Sequence, residues 1–423
     1  SAPRYVTRDV ACWMARQRSC TVVLGSATPS IESLYHAKHD PAWTYARLPE
    51  RANGRPLPKV EVVDMAVEFH DSKGRIFSKK LANAIREELS ANHKVVLLLN
   101  QRGFARFLLC RDCGFVPECR HCSTTLTFHE EGNKLVCHHC GYTLGAPPVC
   151  PSCQSPYLKR YGMGTQRVEA ELKSLLSAQE GLIPGIAAPA SEHLTPQVIR
   201  MDADTTAAKG AHQRLLEQFA TAPAAVLLGT QMIAKGLDFD DVTLVGVINA
   251  DTMLHLPDFR SSERTFDLIQ QVAGRAGRAE LPGRVFVQTY EADSVAIASA
   301  AAYDRPRFLA NELPKREALR FPPYARMANI LLWGKDGSVV RRAAEAYRFD
   351  LCQHLASAGE GDIDVLPAAP CAFERIRNLI RWHVVVKCSP EMDISEALEG
   401  FHRKRGRIQG VSTAVDVDPM DLL

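Results

Sequence analysis

AVLLGTQMIAKGLDFDDVTLVGVI, residues 225–248, holds two short runs of Val, Leu and Ile separated by a loop rich in glycine and charge. Both runs, 225–229 and 242–248, are apolar at consecutive rather than alternate positions, which predicts strands covered on both faces. Strands of that kind belong to parallel sheets, where helical crossovers supply the cover. The neighbouring sequence agrees. QVIRMD (197–202) predicts a strand and 206–220 a helix; 261–275 predicts a helix and RVFVQTY (284–290) a strand. Upstream, SKKLANAIREELSA (78–91) reads as a helix, KVVLLLN (94–100) as a strand and 165–178 as another helix, with a Gly/Pro/Ala-rich loop at 180–196.

The flanks differ. Prolines at 41, 49, 56 and 58 make 41–60 an extended connection. Before it stand a helical pattern at 9–16, an apolar run at 21–24 and the hexapeptide GSATPS (25–30). From about residue 306 the character changes: FPPY (321–324) marks a break, strands at 328–333 and 383–388 flank a helix at 337–357, and a last helix leads to AVDVDP, which reads as a separate α+β domain.

The 423 residues are 46% hydrophobic and 23% charged, ordinary for a globular chain, and the formal charge of +3 permits nucleic-acid binding without arguing for it. No run approaches 18 apolar residues, so no membrane span is expected. SAPRYVTRDVACW has no apolar core of a secretory signal, which points to a reducing compartment where paired cysteines bind metal rather than form disulfides. Eight of the 13 cysteines crowd into residues 110–153 as four CxxC pairs: Cys110/Cys113, Cys119/Cys122, Cys137/Cys140 and Cys150/Cys153. Four pairs supply two closed four-thiolate sites of the structural zinc kind, although thiolates alone also suit an iron–sulfur centre. Spacing does not tell which pairs share a metal. His121, His129, His138 and His139 read as solvated or supporting residues, and the remaining cysteines as small core residues.

Two further motifs carry chemistry. In QQVAGRAGR (270–278), Arg275 and Arg278 are three apart and share a helical face, suited to neutralising charge on a transferring phosphoryl group; Gln271 precedes them. In GTQMIAKGLDF (229–239), a strand end feeds a loop with Gly229, Thr230, Gln231, Lys235, Gly236 and Asp238, able to hold phosphates or relay nucleotide state.

GSATPS, GTQMIAKGLDF and QVAGRAGR resemble motifs III, V and VI of superfamily 2 helicases. The cysteine block, GMGTQRVE (162–169), MDADTTAAKGA (201–211), DFRSSERTFDLIQQVAGRAGR (258–278) and the terminal DVDP (416–419) narrow the resemblance to the PriA family of replication-restart helicases. It covers nearly the whole chain, and the cysteine block disfavours a RecG-like motor. The resemblance implies an ATP- and magnesium-dependent 3′→5′ DNA helicase that recognises stalled or repaired forks and starts primosome assembly. The implied partners are forked and single-stranded DNA, single-stranded DNA-binding protein, primosome proteins and the replicative helicase loader, in the bacterial cytoplasm at the nucleoid. It also implies two zincs, the outer pairs (Cys110, Cys113, Cys150, Cys153) sharing one and the inner pairs (Cys119, Cys122, Cys137, Cys140) the other.

Further roles follow from the same resemblance. Gly25, Ser26, Ala27 and Thr28 would join the 229–238 loop in coupling nucleotide to DNA. Arg4 and Tyr5, in PRYVTRD (3–9), match the end of a DNA-sensing loop. Leu237 and Asp238 depart from members that carry histidines there, and Asp238 matches the acidic residue of other superfamily 2 motors. Arg375, Arg377, Arg381 and Trp382, with Phe373 and His383 interleaved, form a candidate DNA-binding stretch, and HRKRGR (402–407) a second basic cluster.

The expected fold is therefore α/β: a RecA-like parallel-sheet lobe with an inserted two-zinc module, then a small α+β domain. The expected divisions are 1–50, the end of a first lobe; 51–109, connection and start of the second lobe; 110–158, zinc insertion; 159–305, the rest of that lobe; and 306–423, a DNA- and partner-binding domain. No GxxxxGK[ST] or DExH occurs, so the chain reads as the C-terminal part of a longer enzyme, inactive alone. The alternative expectation is a non-catalytic scaffold for fork binding and primosome assembly.

Overall fold

A computed structural model describes residues 5–48, 54, 56–72, 75–99, 107–161, 164–177, 196–202, 204–230, 233, 241–277, 282–358 and 362–422. Six strands form one sheet, parallel throughout, in the spatial order Lys59–Asp64, Arg284–Thr289, Val242–Val247, Lys94–Leu98, Ala225–Gly229, Gln197–Met201. The three central strands Val242–Val247, Lys94–Leu98 and Ala225–Gly229 are buried at every position, as their unbroken apolar runs predict. The two edge strands, Lys59–Asp64 and Gln197–Met201, mix buried and exposed residues.

Each face has its own core. On one, Ile31, Phe219, Phe266, Ile269, Ile297 and Phe308 pack together. On the other, Leu81, Ile85 and Leu89 of the helix Lys79–Ser90 meet Val168 and Leu172 of the helix Thr165–Ser177. Ser78 caps the first of these, its hydroxyl accepting the Leu81 N–H at 3.1 Å. Lys94 is buried inside the sheet, where its ammonium donates to the Ala220 carbonyl at 2.7 Å and pairs with Asp241 at 2.5 Å.

Three elements depart from the sequence reading. KVEVVD closes the 41–60 connection as an edge strand, paired residue for residue with Arg284–Thr289; its charges conceal a strand whose Val60 and Val62 pack on one core and Val63 in the other. The helix expected from 206 begins at Ala211. Residues 204–206 instead form a turn, and Asp202 Oδ1 accepts the N–H groups of Asp204 and Thr205 at 3.1 and 3.0 Å. A helix that the sequence reading did not name, Arg305–Ala318, precedes the FPPY break, with one proline in its first turn and Pro314 inside. A proline there removes one helical hydrogen bond, and packing compensates it.

The insertion rises from an antiparallel pair, Phe107–Cys110 with Leu158–Tyr161, which brings its two ends together. Beyond that stem lies a small antiparallel sheet of Thr127–His129, Lys134–Val136 and Thr143–Gly145. The C-terminal part is a second sheet, wholly antiparallel, in the order Ile363–Val365, Leu379–Cys388, Arg326–Gly334, Ser412–Val417, with Ala369–Ile376 also paired to Leu379–Cys388. Helices Gly337–Ala358 and Ile394–Arg405 pack on it through Tyr347, Leu351, Leu398 and Phe401. No helix of the described residues is long and apolar enough to cross a membrane.

Gly229 marks a close approach within the main sheet. A Cβ there would stand 2.4 Å from the Met201 carbonyl oxygen, a main-chain atom fixed by strand pairing. Gly229→Ala is expected to lower stability by about 1–3 kcal/mol through overpacking, read as a reduced urea midpoint at unchanged slope.

Candidate functional sites

The eight paired cysteines gather into two groups, Cys110, Cys113, Cys150 and Cys153 in one and Cys119, Cys122, Cys137 and Cys140 in the other. Within each group all four sulfurs lie inside 4.8 Å of one another. Closest approaches are 3.6 Å for Cys110 to Cys153, 3.7 Å for Cys113 to Cys150 and 3.6 Å for Cys119 to Cys140. A tetrahedron with zinc–sulfur bonds of about 2.3 Å has edges of about 3.8 Å. The two tetrads therefore fit two zinc ions, and all eight cysteines are free of disulfides.

One local design, used four times, makes the tetrads. In each CxxC turn the residue after the second cysteine adopts positive φ: Gly114 (74°), Ser123 (47°), Gly141 (73°) and Gln154 (61°). Its N–H donates back to the carbonyl of the first cysteine at 2.8–2.9 Å, closing the turn that aims both sulfurs inward. Gly114 is further constrained, because a Cβ would meet the Tyr290 carbonyl oxygen at 2.2 Å.

The intervening histidines correct the sequence reading in part. His138 and His139 are buried, so they are not solvated, and neither joins a tetrad. His138 Nδ1–H donates to the Pro370 carbonyl at 2.6 Å and His139 Nε2–H to the Pro257 carbonyl at 3.2 Å. The inner knuckle thus wedges between the C-terminal sheet and the main lobe. His383 completes the wedge: Nε2–H donates to the His138 carbonyl, and Nδ1 lies 3.1 Å from the Asn329 side-chain amide. Since Nε2 carries the proton, Nδ1 accepts, and Asn329 must present its NH₂ to it. Burial pushes His138 down to about 3 and His383 down to about 4, so both are neutral at physiological pH. His383 is accordingly no part of an exposed DNA-binding strip.

The remaining candidates fall in three places. Arg375 and Arg377 are exposed at the tip of the hairpin Ala369–Ile376/Leu379–Cys388, whose turn residues Arg377 and Asn378 both have positive φ. Arg381 and Trp382 are half-buried; Arg381 Nη1 donates to the Phe373 carbonyl at 3.3 Å, and Trp382 packs against the domain core. Tyr5 is exposed. Arg4, Gln231, Lys235, Gly236, Asp238 and Arg278 lie outside the described residues.

Two of the candidate motifs meet. The helix Ser261–Ala273 carries Gln271, whose Nε2 donates to Thr28 Oγ1 of GSATPS at 3.0 Å. Gly274 and Arg275 follow the helix directly, with Arg275 half-buried. Gly25, Ser26 and Ala27 are exposed, the Ser26 hydroxyl accepting the Thr28 N–H at 3.1 Å. Thr230 follows the strand Ala225–Gly229, its N–H on the Met201 carbonyl at 3.3 Å.

Behind this contact is a buried ionic cluster that the sequence reading missed. Glu32, Arg260, Glu263, Glu312 and Arg316 are each at most 9% exposed. Arg316 reaches Glu263 at 2.8 Å, Glu312 at 3.1 Å and Glu32 at 3.5 Å; Arg260 pairs with Glu32 and lies 3.7 Å from Glu263. Glu263 also accepts the Ile31 N–H at 2.8 Å. Burial alone would raise Glu32, but Arg260 and Arg316 hold it below its ordinary value, and the carboxylates raise Arg316 against its own desolvation. In sequence these residues look like solvated charges spaced along helices; only their i,i+3 and i,i+4 spacing hinted otherwise.

With this geometry in place, comparison defines the class. Residues 191–280 match the model of a helicase conserved C-terminal domain, so three strands of the main sheet belong to a helicase-type domain, and a cysteine-rich module accompanies it. Residues 119–144 match the PriA DNA helicase Cys-rich region domain and 317–420 the primosomal protein N C-terminal domain. Replication restart protein PriA of Bacillus subtilis is 40% identical over 421 residues, covering 99% of this chain and 49% of that protein. The Synechocystis protein is 39% identical over 428 residues (99% and 49%) and that of Treponema pallidum 34% over 424 (100% and 60%). The chain belongs to the PriA family, and it spans about half the length of the curated relatives it matches. S. cerevisiae Dbp5 bound to RNA and ADP BeF3 overlaps at a TM-score of only 0.34 with 14% identity, over 75% of this chain and 60% of that one, too loose a likeness to bear on the fold.

Metal analysis of the purified chain is expected to give two zincs. Cys137→Ser should leave about one and open the wedge to protease, since structural zinc contributes of order 10 kcal/mol to the segment it folds. A stoichiometry well below two in the unmutated chain would contradict the tetrads.

Proposed function

We propose that the full-length protein is an ATP-dependent 3′→5′ DNA helicase that recognises stalled or repaired replication forks and initiates primosome assembly. The observation that carries this reading is the Gln271–Thr28 contact, which sets GSATPS against the arginine-bearing end of the helix Ser261–Ala273. Residues 243 positions apart in sequence are held together, as two nucleotide sensors of such a motor would need to be. Arg275 and Arg278 would neutralise charge on the γ-phosphoryl group. Thr28 and Gln271 would report its presence, and Gly229, Thr230, Gln231, Lys235, Gly236 and Asp238 would link it to the DNA strand.

ATP and magnesium need a phosphate-cradling lysine and acidic quartet that this sequence does not contain, so the chain by itself is expected not to hydrolyse ATP. The divisions 1–50, 51–109, 110–158, 159–305 and 306–423 form part of the same reading, the first being the closing segment of a first lobe. Arg4, Tyr5, Arg375, Arg377, Arg381 and Trp382 are the proposed DNA contacts, with Arg375 and Arg377 the best placed because they project from a hairpin tip. Forked and single-stranded DNA, single-stranded DNA-binding protein, primosome proteins and the helicase loader are the proposed partners, at the bacterial nucleoid.

In the full-length protein, Arg275→Ala and Arg278→Ala are each expected to lower fork-stimulated ATP turnover by about 10³-fold, the magnitude of a lost arginine finger. Fork affinity should remain within about two-fold. Unchanged turnover in both variants would remove the nucleotide role, and loss of fork binding with intact turnover would favour a structural one.

A further inference from the structure

The helix Arg305–Ala318 follows the motor sheet in sequence and contains none of the helicase-like motifs, yet its side chains hold two of them together. Arg305 Nη1 donates to the Pro29 carbonyl of GSATPS at 3.1 Å, and its Nη2 lies 3.4 Å from Asp267 on the helix Ser261–Ala273. Eleven residues later Arg316 joins Glu32, just past GSATPS, to Glu263 on the same helix. Eleven residues are three helical turns, so both guanidinium groups project from one face, about 16 Å apart along the axis. Together with Gln271–Thr28 and Ile31–Glu263, the contacts clasp residues 28–32 along the length of the arginine-bearing helix.

The far end of the same helix is fastened to the C-terminal sheet. Arg316 Nη1 donates to the Pro322 carbonyl at 3.2 Å, and the Phe321 N–H to the Arg316 carbonyl at 2.8 Å. Phe321 stacks on Phe259 with ring centres 4.7 Å apart and packs with Met327 and Val385 of that sheet. Lys387, also on the sheet, donates to the Leu319 carbonyl at 2.8 Å, with its ammonium 3.9 Å from the Phe321 ring centre. Phe259 adjoins Arg260, so the aromatic stack and the ionic cluster are one continuous buried contact.

We propose that Arg305 and Arg316 are positioning residues that tie the GSATPS segment to the arginine-bearing helix and transmit its movement to the C-terminal sheet. Their helix is then the link by which nucleotide-driven movement reaches the DNA-facing domain. This rests on the motor reading above. A carboxylate cluster with one more acid than base holds its register only while both guanidiniums bridge it, and a forked five-donor group is the side chain able to span three acceptors and a carbonyl. Lysine at 316 keeps the charge but cannot make those bonds together.

The test uses the full-length protein with fork DNA and compares Arg305→Met, Arg316→Lys and, as a control on the exposed side of the helix, Arg307→Met. Base pairs opened per ATP hydrolysed are expected to fall at least five-fold in Arg305→Met and Arg316→Lys. Fork affinity and KM for ATP should stay within two-fold, and Arg307→Met should match the unmutated protein. Amide exchange at Ile31 should accelerate at least ten-fold in both clasp variants: in Arg316→Lys because the Glu263 carboxylate that accepts it loses its brace, and in Arg305→Met because Pro29, two residues before it, is released. A purely structural role would lower turnover and unwinding in proportion and leave their ratio unchanged; an unchanged ratio in folded Arg305→Met overturns the proposal even if Arg316→Lys does not fold. An unmutated full-length protein without ATP turnover would instead overturn the motor reading, and this link with it.

Discussion

Five charged groups removed from water must satisfy one another, and the cluster around Arg316 does so by drawing on three separate stretches of chain. Glu32 comes from the N-terminal segment, Arg260 and Glu263 from the start of the helix Ser261–Ala273, and Glu312 and Arg316 from the helix leading to the C-terminal sheet. Desolvating such a set is expensive, and an apolar replacement of similar shape often stabilises as well or better. What the ionic version supplies is definition: each carboxylate has few acceptable partners, so the three elements have one arrangement. Breaking a buried pair costs about 3–5 kcal/mol, far more than a surface bridge of 0–1 kcal/mol, so the arrangement is stiff.

The cysteine module obeys a related constraint. It has a small apolar core, in which Leu126 and Leu135 pack among the buried sulfurs Cys110, Cys119, Cys137 and Cys150. Four copies of one left-handed turn aim the thiolates, and two metals would then fix a segment that its own apolar residues could not. The inner knuckle contributes more than shape. His138 and His139 sit between ligands in sequence but face outward, each spending its ring N–H on a proline carbonyl of a different part of the molecule. Proline has no N–H, which leaves its carbonyl as the available main-chain partner at those sites. The module is therefore wedged against the main lobe and the C-terminal sheet at once.

Much of this was legible in the sequence because the relevant patterns are local. Unbroken apolar runs announce strands buried on both faces, and CxxC spacing announces metal knuckles, so the parallel sheet and the existence of two tetrads could be read directly. What could not be read depends on partners distant in the chain. KVEVVD looks like a polar connection until Arg284–Thr289 lies beside it. The helix Arg305–Ala318 has prolines at 306 and 314 and went unnamed, yet Phe308, Glu312 and Arg316 are buried along it. His383 and Trp382 read as part of a basic-aromatic strip, but strand alternation turns His383 toward His138 and Trp382 toward the core. The charges of DFRSSER likewise appear solvated until Glu32 and Arg316 are placed opposite them, 228 and 53 residues away.

The central claim is that GSATPS and QVAGRAGR form one half of a nucleotide site, braced from behind by the buried ionic cluster. The most direct measurement is an electron cryo-microscopy structure of the full-length protein on fork DNA with magnesium and a non-hydrolysable ATP analogue. The account predicts the Arg275 guanidinium within about 3–3.5 Å of a γ-phosphate oxygen, with Thr28 still on Gln271 and Arg316 still between Glu32 and Glu263. A nucleotide bound with Arg275 more than about 8 Å away, beyond any direct contact, would contradict it.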